Sequence, residues 1–385
     1  MKKIAYGLIG DELELKENIR FKIDRKGKVK DLKYDEFSGE IELSDEGSTF
    51  LLMPGLINSH VHIGDSFAKE RGFNRDLIEV VAPPDGLKHK LLREISPEIK
   101  RNGIQNAAEE MISNGITYFM DFREGGVEGI RTLKEALKDS PIKYRLFGRY
   151  ETKGEIDQIF REGNGLGLSS YKNITPQIKE ILQKSKTQYG KLITTHHAEV
   201  KRKQKRFQKI IDDELIDIII HGTQLIENDL GKLNNTGISL VLCPRSNGYF
   251  GVGFPPIQKV SELNLPVSLG TDNIMNVRPD LFEEMRYLFL IFKILGHPNE
   301  GKKLTANNLL KMITINAARN FGIQECVGSI EEGKDADFFL LNLNEPNFYC
   351  SNISKELIYP LIIQRTQSTN IKKVYIKGEK VYERN

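Results

Sequence analysis

Cysteine is scarce. Cys243, Cys326 and Cys350 are the only three in 385 residues, they are scattered, and no CxxC occurs. Neither a disulfide framework nor a thiolate zinc site is indicated. An excess of one charge is equally lacking: 56 Lys and Arg stand against 53 Asp and Glu, a net charge of +3. Charge alone therefore gives no reason to expect a nucleic-acid partner. No run of roughly 18 apolar residues exists that could span a membrane. In the opening MKKIAYGLIGDELELKENIR, charges break the apolar stretch before a signal-peptide core could form. The expectation is a cytoplasmic protein. A GxGxxG opening a helix after the first strand is also missing, which counts against a dinucleotide-binding fold. Apolar material is not lacking: 39% of residues are hydrophobic, enough for a core and too many for wholesale disorder.

What is present falls into two patterns. The first fifty residues read as short strands with turn punctuation (FKID, RKGK, VKDL, GEIEL). The last fifty read the same way, with DADFFLLNL and then KKVYIKGEKVY around a KGEK turn. Two β-rich ends around a different middle predict one small β-sandwich domain, residues 1–50 with 335–385. The middle, 51–334, alternates. Apolar runs of strand length occur in LLMPGLINSHVH, ITYFMDFREGG, KYRLFGRY, GLGLSS, KLITTHHAE, DIIIHGTQL, GISLVLCPRSN and PVSLGTDN. Stretches such as ISPEIKRNGIQNAAEEMISNG and ITPQIKEILQKS separate them with helical spacing. Eight near-continuous apolar runs are what a buried parallel sheet requires. The prediction is an α/β protein with a (β/α)8 TIM barrel, an architecture that uses roughly 250 residues.

Ionisable residues gather where the runs end. His60 and His62 close the first, Asp121, Arg123 and Glu124 the second, His196 and Glu199 the fifth, His221 the sixth, and Asp272 and Asn273 the eighth. In a barrel those ends meet on the face that carries catalysis. Only His89 and His297 of the seven histidines sit in helix or loop context. In His60-Val61-His62, residues i and i+2 of a strand point to the same side, so both imidazoles face one point. With His196 and Asp272 they supply three nitrogens and one oxygen, a set suited to Zn²⁺ or Fe²⁺ with a position left for water.

The succession PGLINSHVH, HHAE, IIHG and LGTDN resembles the amidohydrolase superfamily, in its branch of cytosine deaminases, guanine deaminases and chlorohydrolases. The likeness runs on through INAARNFGI and VGSIEEGKDADFFLLN. It implies metal ligands His60, His62, His196 and Asp272, with one divalent ion, zinc or iron. It also implies that His221 holds the attacking water. Glu199, three residues after His196 as in HxxE, would shuttle a proton to the substrate's ring nitrogen. HHAE offers two histidines; that spacing selects His196, and His197 should point the other way because adjacent strand residues face opposite sides. Binuclear relatives place a lysine on the fourth strand. Here GLGLSS holds none, and Lys172 follows beyond its end, which favours a single metal.

Candidates to read the substrate are Arg123, Arg149, Arg245 and Asn273, with Glu124, Ser169, Ser170, Asn247 and Asn276 beside them. Arginines there could clamp an anion or stack on a heteroaromatic ring. They could equally belong to ion pairs at the rim. The long charged segment GDSFAKERGFNRDLIEVVAPPDGLKHK resembles the family's lid. KRKQKRFQK at 201–209 reads as the solvated face of a helix. The expected activity is a metal-dependent aminohydrolase acting on an amino-substituted purine, pyrimidine or related heterocycle and releasing ammonia. The alternatives are a same-fold hydrolase of amide, amidine or carbon–halogen bonds and a metal-binding scaffold without activity. The expected partners are a small-molecule substrate and, from the resemblance, a second copy in a homodimer, with no nucleic acid and no membrane.

Overall fold

The computed structural model describes residues 2–44, 48–295 and 304–384; His297 lies outside them. The chain forms an α/β fold with two sheets. The first has seven strands and takes them from both ends of the sequence. These are β1 (Lys2–Ile9), β2 (Glu14–Ile23), β3 (Val29–Glu36), β4 (Phe50–Pro54), then, far along the chain, β14 (Phe338–Asn342), β15 (Ile371–Ile376) and β16 (Glu379–Glu383). Their order is β16-β15-β14-β4-β1-β2-β3. Lys377 and Gly378, with φ of 48° and 79°, make the tight turn between β15 and β16 that a two-residue hairpin favours. The early strands differ in extent from the sequence reading. FKID is only the end of β2, RKGK is turn, and GEIEL contributes a single bridge between Ile41 and Ile353.

The second sheet is parallel throughout and carries all eight predicted runs. They are β5 (Leu56–His62), β6 (Ile116–Arg123), β7 (Lys143–Gly148), β8 (Gly165–Leu168), β9 (Leu192–His197), β10 (Ile218–His221), β11 (Ser239–Leu242), and a divided eighth, β12 (Val267–Leu269) and β13 (Asp272–Asn273). Each pairs with the next in sequence, so the sheet curls. β12 pairs with β11, while β13 pairs with β5 at the other edge. The run read as LLMPGLINSHVH divides between the sheets: β4 joins the first and β5 the second. Gly55 between them has no room for a side chain, since a Cβ there would lie 2.2 Å from Thr117 Oγ1.

Helices cover the parallel sheet, and their starts are written in the sequence. Ser96 and Thr175 each accept a hydrogen bond from the backbone three residues on, with Pro97 and Pro176 in the first turn. Along β6, Phe119 packs with the surrounding helices, whereas Met120 and Phe122 join Ile57, Phe147, Ile220 and Val241 in a separate core. That second core is closed by Ile315, Ala318 and Phe321. The basic stretch at 201–209 leads into the helix Gln204–Asp213, which buries only Phe207 and Ile210. Among the described residues, no helix is long and apolar enough to cross a membrane.

Candidate metal centre

Four strand ends converge. β5 delivers His60 and His62, β9 His196, β10 His221 and β13 Asp272, nearly all buried. His221 and Asp272 hold left-handed backbone, φ 72° and 64°, where the chain leaves the sheet. Such a conformation costs a side-chain-bearing residue about 1–2 kcal/mol and persists only where its surroundings over-determine it. Between β12 and β13 the chain passes directly against His60. A Cβ on Gly270 would lie 2.6 Å from both the backbone N and the Cβ of His60, so only glycine permits this approach.

The donor atoms of His60, His62 and His196 lie within 4.8 Å of one another, and so do those of His60, His221 and Asp272. Asp272 Oδ1 stands 3.2 Å from His60 Nε2 and 3.5 Å from His62 Nε2. The far ring nitrogens are held from behind. His62 Nδ1 meets the Phe122 carbonyl and a Glu124 carboxylate oxygen, each at 2.8 Å, and His196 Nδ1 meets the Leu168 carbonyl at 2.9 Å. A neutral imidazole that donates from Nδ1 keeps its Nε2 lone pair for a cation. His60 makes no well-oriented hydrogen bond with either nitrogen, and burial lowers its pKa to about 3, keeping it neutral. Buried, unsatisfied imidazoles facing a carboxylate fit a divalent cation, which supplies the missing partner.

The acid–base groups differ in their surroundings. Burial works to raise the Asp272 pKa, but the close contact with His60 and the neighbouring imidazoles hold it well below the usual carboxylate range. Its Oδ2 accepts a hydrogen bond from Ser246 Oγ at 2.6 Å. Glu199 has its pKa raised, by burial first and by Asp272 as well, against the pull of His221. Its Oε1 lies 3.6 Å from His221 Nε2, and the Asn247 amide lies 3.3 Å from His221 Nδ1. The two carboxylates are thus pushed in opposite directions, Asp272 towards the ionised form and Glu199 towards the protonated one. His197 points away from the centre and stacks on Phe207 at 5.9 Å between ring centroids.

A cavity of about 150 Å³ opens beside these residues, and Arg149, Ser169 and Asn273 line it. Arg123 and Arg245 are not among its walls. Arg123 is buried in ion pairs with Glu124 at 2.9 Å and Asp121 at 3.7 Å. Arg245 pairs with Glu283 at 2.7 Å and bonds the Arg278 and Asp280 carbonyls. Ser170 instead caps the turn at Lys172, and Lys172 itself is exposed. The lid-like segment supplies Leu77, Val81, Ala82 and Pro83 to the wall. It also supplies Lys88, which the sequence did not single out. This side chain is 3% exposed and bonds Asn273 Oδ1 at 2.8 Å and pairs with Glu124 at 2.6 Å and Asp65 at 3.4 Å. Ser246 was likewise missed, because nothing near it in sequence marks it as a carboxylate's partner.

Residues 51–381 match the amidohydrolase family. A protein of Methanocaldococcus jannaschii without an assigned activity is 35% identical over 327 residues, 80% of this chain and 83% of that one. A 5'-deoxyadenosine deaminase of Methanosphaera stadtmanae is 27% identical over 346 residues, 81% of this chain and 80% of that one. The fold matches that of an adenosine deaminase from Xanthomonas campestris solved with zinc: TM-score 0.79, 19% identity, 98% of this chain and 91% of that one. With its family motifs meeting at one buried cluster, this chain belongs to the amidohydrolase family.

Proposed function

We propose that the chain is a mononuclear, zinc-dependent aminohydrolase that replaces an amino group on a heterocycle with oxygen and releases ammonia. The observation that carries the reading is the set of four imidazoles, three of them buried, gathered with Asp272, with Glu199 beside them. His60, His62, His196 and Asp272 would hold the ion. A divalent ion held there would make hydroxide available near neutrality by lowering the pKa of water to about 7.

The chain's own residues supply the remaining steps. His221 orients the water. Asp272, ionised and fixed by Ser246, takes a proton as the water oxygen bonds the sp² carbon. Glu199, whose burial favours the protonated form, delivers a proton to the ring nitrogen beside that carbon. Asp272 passes its proton on to the amino nitrogen, the carbon–nitrogen bond breaks with its electron pair on that nitrogen, and ammonia leaves as the remaining O–H proton returns to Glu199. Lys88, Arg149 and Asn273 line the space where the ring would sit. Arg123 and Arg245 stay in their ion pairs.

The proposal includes a closed (β/α)8 barrel over 51–334 and a β-sandwich from 1–50 and 335–385. From the resemblance it also takes a cytoplasmic location and a homodimer. Metal analysis with an ammonia-release assay over purines, pyrimidines and their nucleosides tests it. About one zinc per chain and chelator-sensitive ammonia release are expected; a metal-free, chelator-insensitive protein would sink the reading.

A further inference from the structure

The cavity says more about the substrate than the family does. Its volume, about 150 Å³, is the size that accepts one benzene-like ring and falls well short of the roughly 300–1,000 Å³ of sites for larger ligands. Leu77, Val81 and Pro83 make one apolar wall. Two cations face the same space, and their states differ. The Lys88 ammonium is answered by Glu124 at 2.6 Å and Asp65 at 3.4 Å. The Arg149 guanidinium is not answered. Among the described residues it has no hydrogen bond and no carboxylate within 4.0 Å. Its backbone is nevertheless fixed, with the Arg149 N–H donating to the Arg123 carbonyl at 2.9 Å. Arg123, next along the rim, already has its carboxylates, so the chain pairs one arginine internally and leaves the other open to the cavity. Glu124 and Asp272 act on it only from beyond contact distance, and a half-buried guanidinium with no hydrogen-bonding partner is favoured by a bound anion that completes it. Its planar fork matches a carboxylate with two parallel hydrogen bonds.

We propose that the substrate is a small anion: a single-ring amino-heterocycle carrying a carboxylate, which Arg149 clamps, with the ion-paired Lys88 lying at the ring's edge. The cavity fits a single ring rather than a whole nucleoside within its walls, so this reading departs from the substrates in the relatives' names. The reaction is unchanged: water adds at the amino-bearing carbon, the carbon–nitrogen bond breaks, ammonia leaves, and the carboxylate is a handle that takes no part. The amino group rests on the aminohydrolase reading; the anion rests on Arg149 alone.

The test separates the two. Calorimetry on zinc-loaded and metal-stripped protein compares uracil-6-carboxylate with uracil, neither of which carries an amino group to lose. At least tenfold tighter binding of the carboxylate is expected in both forms. Arg149→Met should abolish that preference and Arg149→Lys retain part of it, with melting temperatures confirming that each variant folds. Equal binding of the two rings, or an undiminished preference in Arg149→Met, overturns the proposal. Ammonia release is then compared for cytosine-5-carboxylate, cytosine and adenosine. Faster turnover of adenosine than of the carboxylate overturns the anion proposal and keeps the aminohydrolase. Arg149-dependent carboxylate binding without ammonia from any amino-heterocycle supports the anion site and removes the aminohydrolase reading.

Discussion

Ser246→Ala deletes one atom, the hydroxyl that donates to Asp272 Oδ2 at 2.6 Å. Both residues are buried, so water does not replace the lost bond. A hydrogen bond to a charged group is worth about 1.5–3 kcal/mol, which corresponds to between tenfold and a little over a hundredfold in an equilibrium. An independent route gives the same range. Losing an outer partner of a metal-binding side chain typically weakens the metal by roughly 10–100-fold. Ser246 lies inside the helix Pro244–Tyr249, where alanine is well tolerated, so the fold should survive. A competition titration of zinc against a coloured chelator measures the effect directly. Ser246→Ala should bind zinc about 10–100-fold more weakly than the parent while melting within a few degrees of it. Zinc affinity equal to the parent's would refute the claim that Asp272 binds the ion in the orientation Ser246 sets.

Glu199→Gln should keep full zinc content while kcat falls roughly 10²–10⁴-fold, the usual worth of one positioned acid–base group; lost zinc would place Glu199 on the metal instead. Asp272→Asn should lose activity and bind zinc less tightly, as elemental analysis would show. Gly270→Ala would put a methyl 2.6 Å from His60 backbone and must displace that strand, so zinc affinity should drop; parental affinity and melting temperature would contradict the close approach. Burial pushes the Glu284 carboxyl up to about 8, against the pull of Arg245. An acid that holds its proton more tightly folded than unfolded loses stability as pH rises from about 4.5 towards 8. Glu284→Gln should therefore melt above the parent at pH 8.5 and close to it at pH 5, and equal melting at both would refute the shift.

The eight parallel strands were legible because strands buried on both faces must be apolar along their length, so each appears as an uninterrupted run. Their chemistry was legible for a related reason: polar residues are affordable only where such a run emerges, which is where His60, His62, His196, His221 and Asp272 stand. The division of LLMPGLINSHVH was hidden, because both halves are apolar and the break rests on the contact between Gly55 and Thr117. Arginines resisted reading. Arg123, Arg149 and Arg245 look alike as strand-end cations, and only the distances to carboxylates separate two ion-pair members from the one facing the cavity. Lys88 carried no local signal either: Lys90, two residues on in the same helix, is exposed, and three-dimensional neighbours alone distinguish them.

The seven-stranded sheet also sets a timetable for folding. β4 pairs with β1 on one side and β14 on the other, and β14 follows it by on the order of 280 residues of chain. At typical ribosomal speeds, β4 waits about 15–60 s for that partner. Meanwhile an apolar edge, Leu51 to Met53, is uncovered beside a parallel sheet whose last strand, β13, pairs with β5 across a long stretch of sequence. Non-local pairings of this kind fold slowly, and an unpaired apolar strand edge invites association with other chains. Nascent chains stalled before Phe338 should therefore be the aggregation-prone species, and chaperone dependence should end once β14 has emerged.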